Sequence, residues 1–170
     1  ITDSLVGSEM CIRDSAFQKC YLDDRNTENY FLKVINESDS DYSRYVFFYV
    51  SYLIEKERFS NIRNILSEYD YINSKLLISQ SKNWVEDRKY EKFVNTFSCK
   101  NHNHVISEFL FLVSNLYSSQ DDFEKSNFYL YLSNYLNPKF IYNLSLVAEN
   151  YYFNEAVSYT HLRAHETVSD

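Results

Sequence analysis

The residues best suited to chemistry lie together in one short polar stretch. Cys99, His102 and His104 have the spacing Cys-x2-His-x-His, and thiolate and imidazole groups are preferred ligands of zinc. A complete site would need a fourth ligand, and the sequence offers no second ligand pair at such a spacing. Lysine and asparagine separate the three residues, as in a solvated loop. We therefore expect a loop at residues 99–105 and neither a metal nor another cofactor.

Paired carboxylates are the second candidate for chemistry. They occur at Asp23-Asp24, Glu86-Asp87 and Asp121-Asp122, beside the starts of predicted helices, where acidic side chains complement the helix dipole. Acid–base catalysis would require such groups to converge in one cleft, which nothing in the sequence indicates. The chain has one glycine and no nucleophile-elbow motif, so neither a phosphate-binding loop nor a serine hydrolase site is expected. The sequence predicts a protein without catalytic activity of its own.

Charge and hydropathy exclude further classes. The 170 residues include 24 Asp and Glu against 17 Lys and Arg, a net charge of −7, which argues against binding to nucleic acid or to an anionic membrane surface. The most apolar run, residues 45–54, is about half as long as a bilayer-spanning helix, so we expect a buried helix and no membrane insertion.

The cysteines and the single tryptophan also have chemistry that could be functional. Cys20 and Cys99 belong to no CxxC pair, so we expect free thiols packed in or near helices. The compartment therefore stays open between cytoplasm and periplasm. We expect Trp84 to be a packing residue, with an aromatic anchor for a ligand as the alternative.

The clearest structural signal is a helical hairpin at residues 107–138. Its first half carries apolar residues at i, i+3, i+4 and i+7. Asp121 or Asp122 can cap the second helix, which ends at Asn137-Pro138 because proline disfavours continuation. The apolar face of that second helix is expected to contain Phe123, Leu130, Tyr131 and Leu136. Similar patterns predict helices at 16–24, 27–37, 42–56, 58–69, 72–85 and 87–98, and from 140 onward. With one glycine and one proline, a β-rich fold is excluded and the fold class is all-α.

The helices recur with a regular spacing. Aromatic residues open the second helices of successive pairs at Phe59, Tyr90 and Phe123, which are 31 and 33 residues apart. A period of about 34 residues with helix–turn–helix units is typical of the tetratricopeptide repeat, and residues 107–138 resemble that repeat. Asp121 stands where the family favours glycine, and Ser126 and Ser133 stand where it favours alanine.

The resemblance implies a right-handed superhelical array of helix–turn–helix hairpins. The expected units are 16–40, 41–72, 73–106, 107–138 and, in part, 139–155. In this family the first helices line a concave groove that binds a protein or peptide. The groove positions of the family correspond here to Glu108, Phe111, Asn115, Ser118, Tyr142, Ser145, Glu149 and Tyr152, and in an earlier unit to Arg44, Phe47 and Ser51.

Three interpretations of function follow from these patterns. The leading one is a non-catalytic scaffold segment that binds a protein or peptide partner. The alternative is a helical accessory domain of a larger enzyme, such as a transferase, whose catalytic part lies elsewhere. In a third, the chain is an irregular helical domain and the repeat period is a coincidence; a closed bundle would favour that case.

The two ends of the chain are related to each other. Codons exist with which the reverse complement of the DNA for residues 1–15 encodes residues 156–170. We expect both ends to be translated sequencing-adapter sequence, with a terminal inverted repeat of a mobile element as the alternative. On this interpretation residues 16–155 are an internal fragment of a longer protein from an AT-rich bacterial genome.

Overall fold

The computed structural model describes residues 15–37, 43–68 and 76–154, and every regular element in these ranges is helical. Helix α1 covers residues 15–21 and α9 covers residues 144–154. Between them lie α2 (Thr27–Glu37), α3 (Ser43–Glu55), α4 (Ile62–Ser67), α5 (Leu76–Glu86), α6 (Glu91–Thr96), α7 (His102–Ser118) and α8 (Phe123–Leu136). The all-α fold class is confirmed. The predicted adapter segments fall outside the described residues, apart from Ser15.

One type of turn ends four of the helices. Asp23, Glu57, Arg88 and Asp121 have φ values of 57° to 60° and follow one another at intervals of 34, 31 and 33 residues. After each of them, a backbone N–H donates to the carbonyl five residues earlier, at distances of 2.7 to 3.0 Å. This is the long hydrogen bond of a Schellman C-cap, whose left-handed position is usually glycine. The recurrence in the sequence is therefore matched by a recurrence in the backbone.

The chain divides into two compact units, the first ending at Val105 and the second beginning at Ile106. Helix α3 is the centre of the first unit, with 11 of its 13 residues buried, as predicted for the apolar run at 45–54. Phe47 of α3 stacks on Phe93 with ring centroids 5.4 Å apart. Trp84 packs edge-on against Phe93 at 5.3 Å, so its predicted role in packing is confirmed.

Contacts between its first and last helical pairs close the first unit. The ring of Phe97, just after α6, lies 4.2 Å from that of Phe48 and 5.7 Å from that of Phe17 in α1. The Ser51 hydroxyl donates to the Phe97 carbonyl at 2.6 Å. In an open array each hairpin contacts only its neighbours. The first unit departs from that arrangement, because the segment after its third pair folds back over α3 and reaches α1.

The same closure joins Cys20 and Cys99 in a disulfide, with their Cα atoms 5.6 Å apart. The prediction of free thiols is therefore wrong. The two residues are separated by 79 positions, so no local spacing could reveal the pairing. They meet because the aromatic contacts bring α1 onto the segment after α6.

Helix α7 begins earlier than predicted, at His102. The side chain of Asn101 accepts a hydrogen bond from the N–H of Asn103 at 3.0 Å, which is the geometry of an N-cap. The expected loop at 99–105 is therefore wrong for its last four residues. At the next turn the prediction is confirmed: Asp122 caps α8 by accepting from the N–H of Lys125 at 3.2 Å.

A buried polar layer joins the helices of the second unit. The hydroxyls of Ser107 in α7 and Ser133 in α8 lie 3.0 Å apart, and each also donates to the backbone carbonyl of the other. The amide of Asn143, in the turn before α9, donates to the Ser133 hydroxyl at 2.8 Å. All three side chains are 2% exposed or less. Serine is small enough for the helices to approach closely here.

A second layer repeats the first at a distance of two helical turns. The hydroxyls of Ser114 and Ser126 are 2.9 Å apart, and the Asn150 amide donates to Ser126 at 2.7 Å. Each member lies seven residues from its counterpart in the first layer, so the serines of the two layers follow one face of α7 and one face of α8. These serine–asparagine layers are the polar core of the second unit.

Candidate partner-binding surface

The zinc candidate is already engaged in other interactions. Cys99 is in the disulfide, and Nδ1 of His104 accepts a hydrogen bond from the N–H of Ser98 at 3.0 Å. Within the described ranges, no group of three His, Cys, Asp or Glu side chains could hold a metal ion.

The carboxylate pairs serve as ion-pair and cap residues. Asp24 lies 3.0 Å from the Lys19 ammonium, Asp87 lies 2.7 Å from that of Lys89, and Asp23 pairs with Lys56. Hydrogen bonds from Lys125 hold the pKa of the cap residue Asp122 below its ordinary value. Asp122 lies at the start of a helix, as predicted. The prediction is wrong for Glu86-Asp87, because Glu86 is the last residue of α5 and α6 begins only at Glu91.

Of the four predicted groove residues in α7, one is buried and three are partly exposed. Glu108 is only 2% exposed, so it cannot reach a partner in this conformation. Phe111, Asn115 and Ser118 are partly exposed. The Asn115 amide donates to the Phe111 carbonyl of its own helix at 3.0 Å, and the Ser118 hydroxyl donates to Asn150 at 2.6 Å.

The four predicted residues at positions 142–152 are more accessible. Ser145, Glu149 and Tyr152 are exposed, with Tyr152 at 71%. Tyr142 is partly buried, which raises the pKa of its phenol, and its carbonyl accepts from the Ser145 hydroxyl at 2.8 Å.

The structure thus brings the two groups of predicted residues onto adjacent helices. The bond from Ser118 to Asn150 sets the end of α7 beside α9. Asn115 and Ser118 therefore lie on one helix, with Glu149 and Tyr152 on its neighbour. We call these four residues the α7–α9 face. The three groove residues predicted in the earlier unit do not form such a face. Phe47 and Ser51 are buried, at 0% and 1% exposure, and Arg44 lies over the Phe48 ring.

A second exposed surface was missed in the sequence. Phe128, Tyr131 and Tyr135 of α8 are 57%, 53% and 80% exposed, although Tyr131 was expected on the buried face. The Tyr131 hydroxyl lies 3.2 Å from that of Tyr151 in α9, and this hydrogen bond raises the pKa of Tyr131. The sequence could have predicted this surface, because the aromatic residues at positions 128, 131 and 135 have the helical spacing i, i+3 and i+7 and so form a second stripe on α8.

A cleft of about 670 Å³ lies at the turn between α7 and α8. Carboxylate and amide side chains line most of it, with Phe123 as an aromatic wall, and Asn154 contributes from α9. None of the predicted groove residues lines this cleft. Of the three acidic residues that line it, Asp122 is already used as the cap of α8.

Comparison with known proteins returns no similar chain: no family model, curated protein or solved structure matches it. Within the part of the chain that the structure describes, no helix combines the length and the apolarity that crossing a bilayer requires.

Proposed function

We propose that the chain is a scaffold that binds a protein or peptide partner through its second unit, without chemistry of its own. We further propose that α7, α8 and α9 of the second unit follow the right-handed superhelical arrangement of tetratricopeptide repeats, whereas the first unit is closed by the segment after α6. The spacing of the four left-handed turns and the small residues at the α7–α8 contact support this arrangement.

The observation that carries the proposal is the distribution of exposed aromatic side chains. Among the described residues, the first unit exposes two, Tyr21 and Phe59. The smaller second unit exposes seven: Phe109, Phe128, Tyr131, Tyr135, Tyr151, Tyr152 and Phe153. Aromatic side chains are enriched at interfaces because they bury a large area and lose little conformational entropy when bound. The second unit is therefore the described part of the chain better suited to a macromolecular partner, and Tyr152 is the member of this set that belongs to the α7–α9 face.

The face that we propose for binding is the α7–α9 face. Asn115 offers amide hydrogen-bonding groups, Glu149 a carboxylate, and Tyr152 a large exposed ring. In the first unit the corresponding positions on α3 are covered by the chain itself, since Phe97 lies against Phe48 and Ser51.

Selection from a random peptide library displayed on phage tests the proposal without a known partner. We expect the chain to enrich a shared peptide motif, and Tyr152→Ala to weaken binding of a synthetic peptide with that motif by at least about fivefold. Tyr21→Ala removes an equally large side chain that is 49% exposed in the first unit, and should leave the affinity unchanged.

Two results would refute the proposal. The first is the absence of any motif beyond those enriched by an unrelated helical protein. The second is a motif whose affinity falls with Tyr131→Ala but not with Tyr152→Ala, because binding would then use the α8 surface and not the α7–α9 face.

A further inference from the structure

We infer that the Cys20–Cys99 disulfide is a redox-dependent lock on the first unit. In the oxidised chain it holds α1 and the segment after α6 together across α3. In the reduced chain these two segments separate from α3 and become accessible. This inference is independent of the proposed partner binding.

The disulfide is buried, which favours a role in holding the first unit closed over that of a cross-link on its surface. Cys20 and Cys99 are 3% and 1% exposed, in the last turn of α1 and in a segment that belongs to no helix. The cross-link therefore joins the last turn of a short helix to a segment without regular secondary structure.

After reduction, aromatic packing and hydrogen bonds would still hold the two segments, without a covalent restraint. The segment 97–101 is held to α3 by the Phe97 ring and by the bond from Ser51 to the Phe97 carbonyl. Helix α1 is held by the ring of Phe17, which packs on Phe48 and Phe31 at 5.2 and 6.1 Å. A cross-link between residues 79 positions apart restricts the unfolded chain strongly, so its loss shifts the equilibrium toward the open form.

The redox step is a thiol–disulfide exchange with a low-molecular-weight or protein disulfide. One cysteine thiolate attacks the oxidant and forms a mixed disulfide, and the second thiolate then displaces the oxidant's remaining sulfur. The two cysteine thiols lose two protons and two electrons, and the oxidant leaves as two thiols. Such oxidants prevail outside the reducing cytosol, so we assign the folding of this chain to an oxidising compartment.

Differential alkylation tests whether the bond forms. The Cys11→Ser variant is used because Cys11 is the third cysteine of the chain. After folding in a buffer of reduced and oxidised glutathione, the protein is denatured, alkylated and mapped by mass spectrometry. We expect Cys20 and Cys99 to be unmodified until a reductant is added. Full alkylation of both before reduction would overturn the inference.

Hydrogen exchange then tests whether the bond is a lock. On reduction we expect residues 15–21 and 97–101 to lose at least about tenfold in protection, while α8 is unchanged. The variant Cys20→Ala/Cys99→Ala, also carrying Cys11→Ser, should exchange like the reduced chain in both buffers. Unchanged protection on reduction, or an equal loss in α8, would overturn the lock.

Discussion

The four left-handed turns carry side chains at positions where glycine would be less strained, and Arg88 offers the cleanest test of that cost. Its φ is 57° and its side chain is exposed. The hydrogen bonds of this turn run from the N–H groups of Arg88 and Lys89 to the carbonyls of Val85 and Trp84. They are all backbone bonds, so Arg88→Gly preserves them.

The expected gain follows from two opposing contributions. The left-handed conformation costs an L-residue about 1–2 kcal/mol, because Cβ approaches the following carbonyl oxygen. Glycine avoids this cost but loses about 0.5–1 kcal/mol more backbone entropy on folding. Arg88→Gly should therefore stabilise the first unit by about 0.5–1 kcal/mol, which corresponds to a rise in Tm of about 1–4 °C for a chain of this size.

Urea unfolding followed by tryptophan fluorescence measures this gain. Trp84 is the only tryptophan and lies in α5, directly before the turn, so its emission reports on the same unit. We expect the midpoint of the transition to rise while its slope stays constant. Two control variants separate the backbone effect from other causes. Arg88→Ala removes the guanidinium but keeps a Cβ, and should give no gain. Lys33→Gly, at an exposed position inside α2, should cost about 0.5–1 kcal/mol.

Equal stability of Arg88→Gly and Arg88→Ala, or a lower stability of the glycine variant, would show that the left-handed turn does not carry this cost. If the gain is observed, Glu57→Gly should give a similar gain and the two should add, because the backbone hydrogen bonds of the two turns involve different residues. Asp121→Gly should gain less, since aspartate tolerates the left-handed region better than most residues.

Two further variants test the polar core of the second unit and a partly exposed ion pair of the first unit. Asn150→Ala removes a hydrogen-bond partner of the Ser118 and Ser126 hydroxyls. Because buried polar groups then lose a partner, the free energy of unfolding should fall by about 2–3 kcal/mol in urea unfolding monitored by circular dichroism. A fall below about 0.5 kcal/mol would show that the serine–asparagine layers do not stabilise the second unit. Hydrogen bonds from Arg58 (2.5 Å) and from a tyrosine lower the pKa of Glu28, so its stabilisation is present above the ordinary carboxyl pKa and disappears as pH falls through the lowered value. Glu28→Gln should therefore cost about 1 kcal/mol near neutral pH and nothing at about pH 2, and a penalty independent of pH would refute this account.

The parts of the fold that sequence analysis could predict are those set by neighbours along the chain. The all-α class, the buried helix at 45–54 and the Asp122 cap depend on periodicity and on residues three or four positions apart. The left-handed turn at Asp121 is a similar case, because the residue occupies the glycine position of the resembled repeat. The start of α7 could also have been predicted, since asparagine at position 101 is a favourable N-cap residue. It was missed because the asparagines and histidines that follow show no apolar periodicity typical of a helix.

The parts that escaped prediction depend on contacts between distant segments. The residues around Cys20 and Cys99 form no motif that predicts a disulfide between cysteines 79 residues apart. Phe47 and Ser51 are suited by position to a groove, but they are buried because the segment around Phe97 covers α3. Glu108 is buried as well, although its spacing along α7 matches the other groove positions. Burial of this kind is decided by tertiary packing, which a repeat period does not encode.

The cores of the two units contain different kinds of side chain, and this difference affects where a partner would bind. The first unit places aromatic rings such as Phe48 and Phe97 inside and adds a disulfide. In α8 of the second unit the buried stripe is Phe123, Ser126, Leu130 and Ser133, so half of its members are serines. Small polar residues there bring the helices together through hydrogen bonds and bury little apolar area. Large side chains of this unit such as Tyr152 of α9 remain outside, and a partner that covers the α7–α9 face would supply hydrophobic burial that this core lacks.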